Sequence, residues 1–116
     1  MAKTLKIIRK IYDETSENGF IINAAEQPIE VIRECEKNKS LVEHEGNFWA
    51  FAKVIIKDVS YVRMIFAVRE GSKKVHNIEK VTGLVKNLEN VLIFVDETKI
   101  VKSDGFIYLD VLKKIN

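Results

Sequence analysis

A sequence of 116 residues with 47% apolar and 31% charged side chains has the size and composition expected of one folded domain over 1–116, and that composition excludes a disordered or fibrous chain. Its single cysteine, Cys35, excludes an internal disulfide framework and points to a reducing, cytoplasmic setting. No apolar run approaches the ~18 residues of a membrane span, so no membrane is expected, and a net charge of +2 is too small for a surface that coats nucleic acid on every side.

The charge is unevenly placed. Residues 1–12 carry four bases and no acid, residues 13–45 nine acids against three bases, and residues 46–116 twelve bases against eight acids. Surfaces of opposite sign follow from such a division.

The periodicity predicts a first helix over residues 4–18. Leu5, Ile8, Ile11, Tyr12 and Thr15 recur at helical spacing, and Asn18-Gly19 is a stop signal. Its bases precede its acids (Asp13, Glu14, Glu17), an order that opposes the helix dipole at about 0.3–1 kcal/mol per exposed charge near an end. Phe20, Ile21 and Ile22 form a short apolar segment, either a brief strand or a loop pinned to the core. Pro28 suits the first turn of a second helix over 28–38. Ile29, Ile32 and Cys35 line its apolar stripe, with Glu30, Glu34 and Glu36 on the outer face; Cys35 is then a buried, inert thiol.

Residues 41–44 read as a strand. A turn at 45–48 pairs His44 with Trp49 and Val42 with Phe51. Residues 48–74, which hold the only tryptophan and three of the six phenylalanines, read as a long β-hairpin about which the chain is organised. Asn77 caps a third helix over 78–89, and the wholly apolar run 91–95 is a central strand. Residues 96–98 turn the chain. Ile100-Val101 and 106–109 flank Ser103-Asp104-Gly105 as a last hairpin, with 111–115 extending its second strand or ending as a frayed turn. The order is α-α-βββ-α-ββ(β). It implies an α+β fold with a mostly antiparallel sheet, or a partly open barrel, and helices packed on one side.

Function hangs on one residue of register. Alternation puts Trp49, Phe51 and Lys53 on one face of the first hairpin strand, and Tyr61, Arg63 and Arg69 on one face of the second. A three-residue turn at Lys57-Asp58-Val59 joins these faces into a strip of rings and cations, continued by the basic tip Lys73-Lys74. Such a strip stacks bases and neutralises phosphates, the chemistry of a small non-catalytic domain that binds single-stranded nucleic acid or RNA. A two-residue turn instead sets Trp49 and Phe51 beside Met64 and Phe66 in a core, and the strip is gone. Lys57, Asp58 and Val59 are not the usual residues of a two-residue turn, which favours the longer one, whereas a lone tryptophan beside a phenylalanine is more often core, which favours the shorter.

Two other readings accompany it. One is a protein-interaction or inhibitor module, of phage or plasmid type, that covers a basic protein partner with Glu30, Glu34 and Glu36. The other is a small ribonuclease, for which Glu43 or Glu45, His44, His76, Arg63 and Arg69 are the right residue types without a spacing that makes them converge. The chain has no glycine-rich phosphate loop, nucleophile elbow or zinc-protease motif, so no catalytic residue, cofactor or metal ligand is assigned.

Overall fold

A computed structural model describes residues 2–44, 47–69, 97–103 and 105–115. The chain forms α1 (Ala2–Asn18), β1 (Ile21–Ile22), α2 (Pro28–Lys37), β2 (Leu41–His44), β3 (Asn47–Ile56), β4 (Val59–Arg69), β5 (Glu97–Ser103) and β6 (Phe106–Lys114). The fold is α+β. Helices pack on an open, mixed sheet of order β1-β3-β4-β6-β5, with β2 also paired to β3. The third helix expected over 78–89 and the strand expected over 91–95 lie outside the described residues.

The hairpin β3–β4 is the centre of the sheet, and its connection is the two-residue one. Ile56 pairs with Val59, leaving only Lys57 and Asp58 in the turn. Both take positive φ, 49° and 64°, the signature of a type I′ turn. A left-handed residue with a side chain costs roughly 1–2 kcal/mol. The long ladder that continues from this turn, from Ile56–Val59 to Phe48–Ala67, holds it in place. This register corrects the three-residue turn. It pairs Trp49 with Phe66 and Phe51 with Met64.

The sheet is two-faced, and each face has its own core. On one, Tyr12 of α1 meets Trp49, Phe51, Val62, Met64, Phe66, Leu109 and Val111. On the other, Val31 and Cys35 of α2 meet Ala50, Ala52, Val54, Ile65 and Tyr108. The helices therefore cover opposite faces rather than one side. The alternation in β3 explains the division: its large side chains (Trp49, Phe51) face α1, and its small ones (Ala50, Ala52) let α2 approach closely.

The edge beside β3 is broken in two. β2 runs antiparallel to its first half, with Val42 opposite Trp49 and His44 opposite Asn47. That is two residues tighter than the expected pairing of His44 with Trp49. β1 runs parallel to its second half, with Ile21 opposite Lys53 and Ile22 opposite Val54. Between them the Cys35 thiol donates to the Phe51 carbonyl oxygen at 3.4 Å, and the Lys53 amide donates to the Phe20 carbonyl at 2.9 Å. Cys35 is fully buried, and burial pushes its thiol pKa up.

At the other end of the sheet order, β5 starts at Glu97, where a turn was expected. β6 runs on to Lys114, so the last strand is extended rather than frayed. Gly105, with φ of 80°, occupies the turn between them.

α1 ends against the sheet at Gly19, whose amide donates to the Thr15 carbonyl at 2.8 Å. A Cβ there would stand 2.5 Å from that same carbonyl oxygen and 2.7 Å from Thr15 Cγ2, with Lys53 Cγ at 3.2 Å behind it. The backbone oxygen has nowhere to go. Gly19→Ala is expected to destabilise the fold by about 1–3 kcal/mol, read as a lower midpoint in urea. An unchanged midpoint would mean that the end of α1 is free to shift.

Candidate functional site

The residues proposed to form one strip fall on two faces. Trp49, Phe51 and Lys53 belong to the α1 face, and Tyr61 and Arg63 to the α2 face, because the two-residue turn puts each group beside the core residues of the opposite strand. Trp49 is 2% exposed and Phe51 wholly buried. Trp49 stacks on Phe66 with ring centroids 4.4 Å apart, and on Phe51 at 6.2 Å. Neither ring offers a face to a base. Lys53 and Tyr61 are half-buried.

Arg63 is almost wholly buried. Its side chain is 8% exposed and makes a bidentate pair with Asp110 of β6, Nε to Oδ1 at 3.0 Å and Nη2 to Oδ2 at 2.7 Å. Arg69 pairs through its backbone with Phe106, at the opposite end of β4 from the turn. Lys73 and Lys74 lie outside the described residues.

The acidic alternative is also dispersed. Glu30 and Glu36 are exposed and Glu34 half-buried on α2. At about 100° per residue, Glu30 and Glu34 occupy one flank of the helix and Glu36 the other. The exposed Ile29, Arg33 and Lys37 stand between them. For the ribonuclease set, Glu45 and His76 lie outside the described residues. His44 pairs with Asn47, five positions along β3 from Ala52, the partner of Arg63. That spacing is roughly 17 Å of strand. Among the described residues, no three His, Cys, Asp or Glu side chains come together as a metal ligand set, and no helix is long and apolar enough to cross a membrane.

The register gathers a different group. Lys114 pairs with Tyr61 and Lys113 with Val62, while Ile115 donates its amide to the Ser60 carbonyl at 2.9 Å. The end of β6 is thereby fixed beside the Lys57-Asp58 turn. Lys99 of β5 pairs with Asp110, which stands opposite Ile65 near the middle of β4. Lys57, Lys99 and Lys114 are exposed and Lys113 half-buried. Beside the turn itself, Lys57, Lys113 and Lys114 stand with Asp58. Alternation puts Lys113 and Lys114 on opposite faces, so they straddle the end of the sheet.

Behind this end lies a cavity of about 70 Å³, walled by Val54, Ile56 and Leu112, with Ala24, Arg63, Lys99 and Asp110 around it. Arg63 Nη1 is buried without a hydrogen-bond partner. One signal for this site stands in the sequence. Asp110 interrupts the otherwise apolar run 106–112, and a carboxylate on a core-facing strand position demands a buried cation. Searches of family models, curated proteins and solved structures find no match for this chain.

Proposed function

We propose that the chain is a small non-catalytic nucleic-acid-binding domain whose phosphate-contacting surface is the turn end of the sheet, at Lys57, Lys113 and Lys114. One observation supports this: the β4–β6 register brings the Lys113-Lys114 pair beside Tyr61 and the Lys57 turn, on a rigid ladder rather than a loose tail. Lysines on either face of a sheet end hold positive charge at set positions around it, and each phosphate contact they make releases counterions from the strand. Base stacking by Trp49 and Phe51 has no part in this reading, since both are core. A surface of this kind favours affinity for the backbone over sequence choice. It takes single-stranded DNA or RNA by the same contacts.

Anisotropy of a labelled single-stranded oligonucleotide, titrated at several salt concentrations, tests this. Lys113→Ala/Lys114→Ala is expected to weaken binding and to reduce the slope of log K against log salt by about 1.4, at roughly 0.7 per lost phosphate contact. Lys73→Ala/Lys74→Ala serves as the comparison. The surface named here is wrong if only that second pair matters, and the reading fails altogether if the native chain does not bind.

A further inference from the structure

We infer that the groove between the end of α1 and the α2–β2 connection is a binding site for a short free peptide, held by its two charged ends. The groove is open to solvent and has a volume of about 530 Å³. That lies within the ~300–1,000 Å³ of small-molecule sites. At about 10–15 Å³ for each water-sized occupant, it also exceeds what a single amino acid fills. Ile11, Phe20 and Val42 supply its apolar lining, and each is half-buried. Ile11 and Val42 are anchored on the α1-facing core and Phe20 on the α2-facing core, so the apolar surface they offer is preformed.

Charge selects the ligand. Glu14 lines the groove from α1 and Lys39 from the connection that follows α2; among the described lining residues they alone are charged. Both are exposed, and neither has an ion-pair partner among the described residues. A carboxylate and an ammonium on separate elements suit a zwitterion long enough to reach both. In a free peptide the amino end meets Glu14, the carboxyl end meets Lys39, and an apolar side chain between them meets the lining. The Asn38 amide donates Nδ2 to the Glu34 carbonyl at 2.8 Å, which leaves its Oδ1 as an acceptor for a peptide N–H.

Lys39 carries a second mark. α2 ends in a Schellman motif: the Ser40 amide donates to the Cys35 carbonyl at 2.9 Å and the Lys39 amide to the Glu36 carbonyl at 3.3 Å. Lys39 therefore stands, with φ of 58°, at the position such helix ends give to glycine. Stability alone favours glycine there, so the lysine side chain is kept against the local preference. The groove shares no residue with the lysine surface proposed above, and the inference does not rest on that reading.

The test is a titration of the full chain with the tripeptides Ala-Leu-Ala and Ala-Phe-Ala, each free, N-acetylated or C-amidated. The backbone amide resonances of Thr15, Gly19 and Ser40 are the readout. Free peptides are expected to shift these signals saturably. Acetylation or amidation is expected to weaken affinity about twofold to fivefold, the range of one exposed ion pair. Glu14→Gln is expected to erase the difference between free and acetylated peptides, and Lys39→Gly the difference between free and amidated ones. Lys39→Gly is also expected to raise the midpoint in urea, which separates loss of the binding charge from damage to the fold. The inference is overturned if no free peptide gives a saturable shift at these amides, or if Lys39→Gly keeps the preference for a free carboxyl end. Blocked peptides that bind as tightly as free ones would also overturn it, and would give the groove to an internal segment of a protein instead.

Discussion

Asp110→Ala is expected to lower the stability of the fold by about 3–5 kcal/mol, because it leaves an almost wholly buried guanidinium without its counter-charge. Arg63 and Asp110 have side-chain exposures of 8% and 13%, so solvent screens the surviving charge little. The Arg63–Asp110 pair spans β4 and β6, and its loss also weakens the ladder between them. Replacing both partners by apolar residues, as in Arg63→Met/Asp110→Leu, removes the desolvation problem with the charge. That double variant is expected to fall within about 1–2 kcal/mol of the native chain, or above it. Urea denaturation of the two single variants and the double gives the cycle directly. A loss below about 1 kcal/mol for Asp110→Ala would show that the pair behaves as a surface contact.

Trp49→Ala is expected to cost about 3–5 kcal/mol, the usual range for deleting a large buried ring. The indole stacks on Phe66 across the β3–β4 ladder and packs over Phe51 on its own strand, so its loss opens a cavity in the α1-facing core. Trp49→Phe keeps a ring on Phe66 and is expected to cost less. The native fluorescence carries the same information without a mutation: a blue-shifted emission, protected from iodide and unmoved by an oligonucleotide. A red-shifted, quenchable Trp49 would restore the longer turn and put the rings back on the surface.

These two residues mark where the sequence was legible and where it was not. The strands announced themselves through β-branched and aromatic runs, and Pro28 gave the start of α2. The parity of the hairpin did not. A type I′ turn normally shows itself by Asn or Gly, and here Lys57 and Asp58 adopt positive φ because the strands on either side force it. Local propensity pointed one way and the burial of Trp49, Phe51, Met64 and Phe66 the other, and burial is the larger energy. The site suffered from the same parity. With the turn one residue longer, Arg63 would have stood among exposed cations; with the observed turn it sits inside, and Asp110, some 47 residues away, becomes its partner. No spacing rule connects two strands so far apart in the chain, whereas a lone carboxylate in an apolar strand says that such a partner exists.

The thiol that bridges the gap between β1 and β2 makes this edge vulnerable to ageing. Cys35 satisfies the Phe51 carbonyl only while it remains a thiol. Buried, with a raised pKa, it reacts only when α2 lifts from the sheet, so oxidation is slow and proceeds through rare openings. Once oxidised, the enlarged side chain no longer fits beneath α2, and the open stretch of β3 becomes a template for pairing with other chains. Preparations kept without reductant would then lose material through accumulated self-association, at a rate governed by how often α2 undocks.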